Sequence, residues 1–144
     1  MIPGLVATLA AGLFAGAAVY ITFVEHPARM SCGTAVAVVQ FRPSYRRAAV
    51  MQASLAVGGA VAGAAQWMAG GGLGWLAGGL TLGAVVPYTL LVILPTNERL
   101  LDDSLEPHAP EATALLMRWG RLHAVRSALG SAAFVVELIL LAGR

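Results

Sequence analysis

Charge is absent from two long stretches of this chain, and that absence lays out the fold. No residue from Ile2 to Val24 is charged, and none from Ala48 to Asn97. About 20 consecutive apolar residues cross a bilayer core as a helix. The first stretch therefore predicts one span, at about residues 3–24. The second holds two, at about 46–69 and 73–94, because Gly70, Gly71 and Gly72 interrupt it near its middle and favour a tight turn. The third helix should bend at Pro87. A fourth helix starts at Pro110, which suits a first helical turn, with Glu111 complementing the dipole there. Continued to Ala142 it is about 50 Å long at 1.5 Å per residue. Its first turns should therefore project from the membrane, leaving a span at about 119–142.

Composition agrees with that pattern. Of 144 residues, 58 % are apolar and 11 % charged, and the mean hydropathy is +0.77. A soluble domain carries roughly 25 % charge, so an ordinary soluble domain, a disordered chain and a nucleic-acid binder are all excluded. The expected fold is all-α: one integral membrane four-helix domain over residues 1–144, running up and down. The single cysteine, Cys32, excludes an internal disulfide and any Cys-x-x-Cys motif. No Lys or Arg precedes the first apolar stretch, which is too long for a signal-peptide core and reads as a retained helix. Glycine pairs four residues apart, such as Gly12/Gly16, Gly59/Gly63, Gly74/Gly78 and Gly79/Gly83, suit close helix packing in lipid.

All nine basic residues are arginine, and eight of them fall at one end of an up-down bundle. Arg29, Arg42, Arg46 and Arg47 lie between the first two helices. Arg99, Arg118, Arg121 and Arg126 lie between helices three and four or early in helix four. The other end has only Arg144. The positive-inside rule then places the polar loops in the cytoplasm and both termini outside a cell membrane.

The same end gathers the chemistry. Glu25, His26 and Arg29 close helix one, Tyr45 to Arg47 open helix two, Pro95 to Arg99 close helix three, and Trp119, His123 and Arg126 start helix four. Trp119, His123 and Arg126 follow i, i+4, i+7 spacing and form one stripe, continued by Gly130, Phe134 and Glu137. Ionisable groups within a bilayer usually face the bundle interior or a watery cavity. Blander roles are open to several residues. Arg46, Arg47, Arg118 and Arg121 suit snorkelling anchors, Trp119 and Tyr45 an interfacial aromatic belt, Tyr20 and Tyr88 structural hydrogen bonds. His108 suits a solvated loop, and Glu137 the outer interface. His26, Asn97, His123 and Arg126 are the candidates for a shared site.

The strings Val24-Glu25-His26-Pro27-Ala28-Arg29, Tyr45-Arg46-Arg47, Pro95-Thr96-Asn97-Glu98-Arg99-Leu100 and Arg118-Trp119-Gly120-Arg121-Leu122-His123-Ala124-Val125-Arg126 resemble the anthrone-oxygenase-like family of small four-helix membrane proteins. The resemblance covers nearly the whole chain, with Pro-Thr-Asn and Trp-x-x-x-His-x-x-Arg its most specific parts. It implies an oxygenase of the polyketide-tailoring kind that oxidises an anthrone with O₂.

No flavin, nicotinamide or thiolate-ligand motif is present, so the expected chemistry uses O₂ as co-substrate and no cofactor. His123 or His26 would act as base, Arg126 as stabiliser of anionic charge, paired with an anionic ligand or with Glu25, and Asn97 as a donor to a carbonyl. Trp119 and Tyr45 would form aromatic walls, and Arg29 and Glu25 complete the substrate-binding set. Two alternatives stand beside this. In one, His26, His123, Glu25 and Asn97 hold copper or iron, although no helix carries a local ligand pair. In the other, the pocket only carries a lipid or quinone-like molecule. Expected partners are membrane lipid and an aromatic small molecule, with a homo-oligomer left open and no nucleic acid.

The topology has a direct test. Impermeant thiol labelling from outside should reach a cysteine introduced at Gly71 and not one at Ser104. The reverse pattern would invert the orientation.

Overall fold

The computed structural model describes residues 1–143; Arg144, assigned above to the termini end, lies outside the described residues. Four helices long and apolar enough to cross a membrane make up the fold: α1 (Ile2–Ser31), α2 (Thr34–Gly71), α3 (Leu73–Leu101) and α4 (Pro110–Ala142). No strand is present among the described residues. Each helix packs mainly on its neighbours in a square, α1 on α2 and α4, and α3 on α2 and α4. Leu9, Leu13, Val57, Val61, Leu91, Val135 and Ile139 stay exposed around the outside, where lipid would cover them.

Three of the expected boundaries are corrected. Helix one does not end near Val24, nor helix three near Leu94. Each continues through a single wide turn, Ile21–Glu25 in α1 and Thr89–Ile93 in α3. In these turns the amide of His26 bonds the carbonyl of Ile21, and that of Leu94 bonds Thr89, five residues back rather than four. Pro27 and Pro95 come immediately after. A proline ring clashes with the carbonyl four residues earlier and supplies no amide; one extra residue in the turn accommodates both defects, as π-bulges do. Both prolines are absorbed within continuous helices.

The third correction is α2, which begins at Thr34 and not near Arg46. The charged segment before Arg46 is helical because Ala37, Val38 and Phe41 form a buried face in helical steps. The link from α1 is only Cys32 and Gly33, with Gly33 at φ +91°. Other expectations agree with the structure. Gly70 and Gly72 take φ +85° and +87° in the α2–α3 turn. Helix α3 is interrupted at Ala84, three residues before Pro87. Helix α4 starts at Pro110.

At the termini end, α2 and α3 meet backbone to backbone. A Cβ on Gly63 would stand 2.8 Å from the Trp75 carbonyl oxygen and 3.0 Å from Gly79 Cα. Gly16, by contrast, has nothing within 4 Å. Glu137 is corrected too: it is fully buried in this half and packed against Gly78, not placed at an outer interface. At the opposite end Arg42 donates to the carbonyls of Leu100 and Asp102, closing the α3–α4 loop onto α2. Arg99 forks onto Glu111 at 2.7 and 3.0 Å. Being exposed to solvent, these pairs add little to stability.

Two glycines of α2 separate packing from propensity. Gly63→Ala should lower the thermal stability of the detergent-purified protein, by about 1–3 kcal/mol as an overpacking change. Gly58→Ala, which meets nothing within 4 Å, should match or exceed the parent.

Candidate functional site

The wide turn of α1 and the first half of α4 bring the polar residues together. Trp119, His123 and Arg126 lie on one face of α4 and all are buried, at 5 %, 2 % and 7 % exposure. Trp119 stacks on His123 with ring centroids 4.7 Å apart and meets Phe41 edge-on at 5.1 Å. The Arg29 guanidinium lies over the rings of Phe41 and Trp119. A narrow cleft of about 20 Å³ is bounded by Arg29, Tyr45, Gln52, Trp119, His123 and Arg126. Five of the eight residues singled out from sequence therefore share one cleft. Trp119 is an interior wall, which removes the aromatic-belt reading.

Asn97 stands behind that wall, fully buried. Its Nδ2 donates to the Tyr45 hydroxyl at 2.9 Å, and its Oδ1 accepts from Trp119 Nε1 at 2.9 Å. One amide thus fixes an aromatic ring on α2 and another on α4. Glu25 is similarly occupied. Its Oε1 accepts from Arg29 at 2.5 Å, Ser44 at 2.6 Å and Gln40 at 3.0 Å, tying α1 to α2. The pairing of Arg126 with Glu25 is therefore corrected: Glu25 pairs with Arg29. His26 flanks Trp119 at 5.2 Å between centroids, and its Nε2 would lie 2.6 Å from a Cβ on Gly120, so that glycine lets the imidazole rest on α4.

Arg126 is the unusual member. Its Nη2 donates to Gln52 Oε1 at 2.6 Å, and its Nε has no hydrogen-bond partner. Gln52, 1 % exposed, also leaves its Nε2 unpartnered. Among the described residues no carboxylate pairs with Arg126. A buried cation with no counter-ion is costly, and so is each unmade hydrogen bond. The unpartnered atoms of this pair, Arg126 Nε and Gln52 Nε2, are both donors, so the pair fits an oxygen acceptor, above all an anionic one.

Sequence reading missed Gln52, although a signal was available. It lies seven residues after Tyr45, on the same helical face, inside a stretch without charge. It also missed the support of His123. The Nδ1 of His123 lies 3.1 Å from Thr22 Oγ1, which lies 2.7 Å from Ser127 Oγ, which donates to the Ala18 carbonyl at 2.9 Å. One proton arrangement makes all three contacts hydrogen bonds. Ser127 donates to Ala18, Thr22 to Ser127, and His123 Nδ1–H to Thr22. That tautomer leaves Nε2 with its lone pair.

The four metal ligands considered from sequence are not free as a set, since Glu25 and Asn97 are held by protein partners. No group of three His, Cys, Asp or Glu side chains with metal-site geometry occurs among the described residues.

Asn97→Leu should release both rings and strand two buried donors or acceptors. Loss of about 1–3 kcal/mol is expected, read as a lowered unfolding temperature, with tryptophan fluorescence shifted toward a more polar surrounding.

Residues 41–136 match the family model described as anthrone oxygenase. Anthrone oxygenase tpcL of Aspergillus fumigatus is 43 % identical over 61 residues, which is 40 % of this chain and 38 % of that protein. The matched stretch thus spans under two fifths of the length of that curated relative. No solved structure matches the chain. The family model covers most of α2, all of α3 and most of α4, including Tyr45, Gln52, Asn97, Trp119, His123 and Arg126, and the chain belongs to the anthrone oxygenase family.

Proposed function

We propose that this protein is a membrane-embedded oxygenase that converts an anthrone-like, electron-rich aromatic ketone to a quinone with O₂, without a tightly bound cofactor. The observation that carries the reading is Arg126, a buried guanidinium with no carboxylate partner, beside a histidine whose neighbours leave Nε2 as a base.

An anthrone has an acidic CH₂ between two aromatic rings, and its conjugate base places negative charge on the carbonyl oxygen. His123 Nε2 removes one proton from that CH₂. Arg126 and Gln52 donate to the enolate oxygen as its charge develops, which is where fixed donors in a low-dielectric site accelerate a reaction. Electrons from the carbanion carbon pass to O₂ and a C–O bond forms, giving a peroxide anion that takes the proton back from His123. Loss of the second C–H proton with cleavage of the O–O bond leaves a new C=O and releases water. The balance is CH₂ + O₂ → C=O + H₂O, with no external reductant. Positioned proton transfer contributes about 10²–10⁴-fold, and a fixed anion donor roughly 3–4 kcal/mol. Asn97, Glu25 and Thr22 act through the groups they hold. The site end faces the cytoplasm in the proposed topology.

Oxygen uptake with 1,8-dihydroxyanthrone by protein in lipid nanodiscs tests the reading. His123→Ala should lose about 10²-fold or more of the rate, with anthraquinone binding retained. Arg126→Lys should also be impaired, because lysine lacks the planar fork, while a wild-type rate would remove Arg126 from the site. Metal analysis and an absorption spectrum should show no stoichiometric copper, iron or haem, and a chelator should not slow the reaction. A stoichiometric metal whose removal stops uptake would overturn the cofactor-free mechanism. Protein inert to every anthrone would favour a carrier.

A further inference from the structure

The cleft beside His123 is too small for a three-ring molecule, but it does not end at Arg126. A second cavity of about 170 Å³ adjoins it between α2 and α3, and Tyr45, Ala49, Gln52 and Arg126 border both. Beyond those four, its walls are mainly apolar: Ala53 and Ala56 from α2, and Val85, Val86 and Leu90 from α3. Ala53 and Leu90 are exposed at its mouth, on the side of the bundle that lipid would cover.

The opening has a structural origin. Helices α2 and α3 touch at the Gly63–Gly79 crossing near the termini end. Past the interruption at Ala84, α3 continues as the short Val85–Tyr88 turn and then the wide Thr89–Ile93 turn. Val85, Val86, Thr89 and Leu90 of this irregular stretch face three alanines of α2 across the gap. Large side chains on α2 would close it, and small ones leave it open. Polar donors without a hydrogen-bond partner stand at the inner end, at Arg126 Nε and Gln52 Nε2.

We propose that this side opening is the substrate's binding subsite and its route from the bilayer. It takes a flat, fused-ring aromatic whose apolar body lies between the alanines of α2 and Val85, Val86 and Leu90 of α3. Its leading oxygen is received by Arg126 and Gln52. The chemistry after binding rests on the oxygenase reading, but binding itself does not. A molecule of this class partitions into lipid, so access through the side of the bundle spares it a return to water.

The test is binding of 1,8-dihydroxyanthraquinone, a coloured, unreactive probe, to nanodisc-held protein. Ala53→Trp and Leu90→Trp narrow the mouth from opposite helices at exposed positions, where folding tolerates bulk. Val57→Trp, exposed one turn further along α2 and outside the cavity, is the control. Either mouth variant should weaken probe binding about tenfold or more relative to Val57→Trp. Each variant is compared by its elution profile, so that a misfolded one is set aside and the other decides. Wild-type affinity in the folded mouth variants, or no probe binding by the parent protein, overturns the proposal. Probe binding that the mouth variants block, in protein inert to anthrones, would defeat the oxygenase reading and leave the subsite standing.

Discussion

The structure depends on how a guanidinium is kept inside an apolar bundle. Arg126 is 7 % exposed, midway along a helix the bilayer would surround, and its one strong contact is to a neutral amide. Isolated charge of this kind is among the most expensive things a membrane protein can bury. The protein contrasts it with Arg29, equally buried but paired to Glu25 and laid over two aromatic rings. Both arginines border the same cleft, and only one is neutralised. That asymmetry gives the site its direction: the free positive charge lies at the junction of cleft and side opening.

Proline builds the rest of the geometry. Pro27 and Pro95 each come directly after a widened turn, on α1 and α3. Beyond these turns lie the buried polar residues Arg29 on α1 and Thr96 and Asn97 on α3. Asn97 then locks Tyr45 and Trp119, and Glu25 locks α1 to α2 through Gln40 and Ser44. Packing by glycine holds the termini half closed while the interrupted α3 holds the site half apart. Rigidity and access are therefore divided along the length of one helix pair.

Much of this was legible in the sequence because lipid imposes a simple rule on composition. Uncharged runs gave the spans, three glycines gave the turn, and i, i+4, i+7 spacing gave the Trp119–His123–Arg126 stripe. Boundaries failed where two rules competed. The boundaries were drawn where the uncharged runs stop, yet tertiary burial of Phe41, Asn97 and their neighbours carries the helices on through Pro27, Pro43 and Pro95. Pairings failed for a different reason. Nothing in spacing says that Glu25 is taken by Arg29, so that Gln52, and not a carboxylate, meets Arg126. Thr22 and Ser127 were illegible because a hydroxyl's role depends on what the neighbouring helix presents to it.

The central claim is that Arg126 awaits an anion formed on the ligand. Anaerobic titration of nanodisc-held protein with 1,8-dihydroxyanthrone, monitored by absorption, reads this without any turnover. The account predicts that the enolate spectrum appears on binding at a pH where the free anthrone stays neutral, and that Arg126→Gln binds the anthrone without generating it. Binding of the neutral anthrone alone by the wild-type protein, or an equal enolate signal in Arg126→Gln, would contradict it.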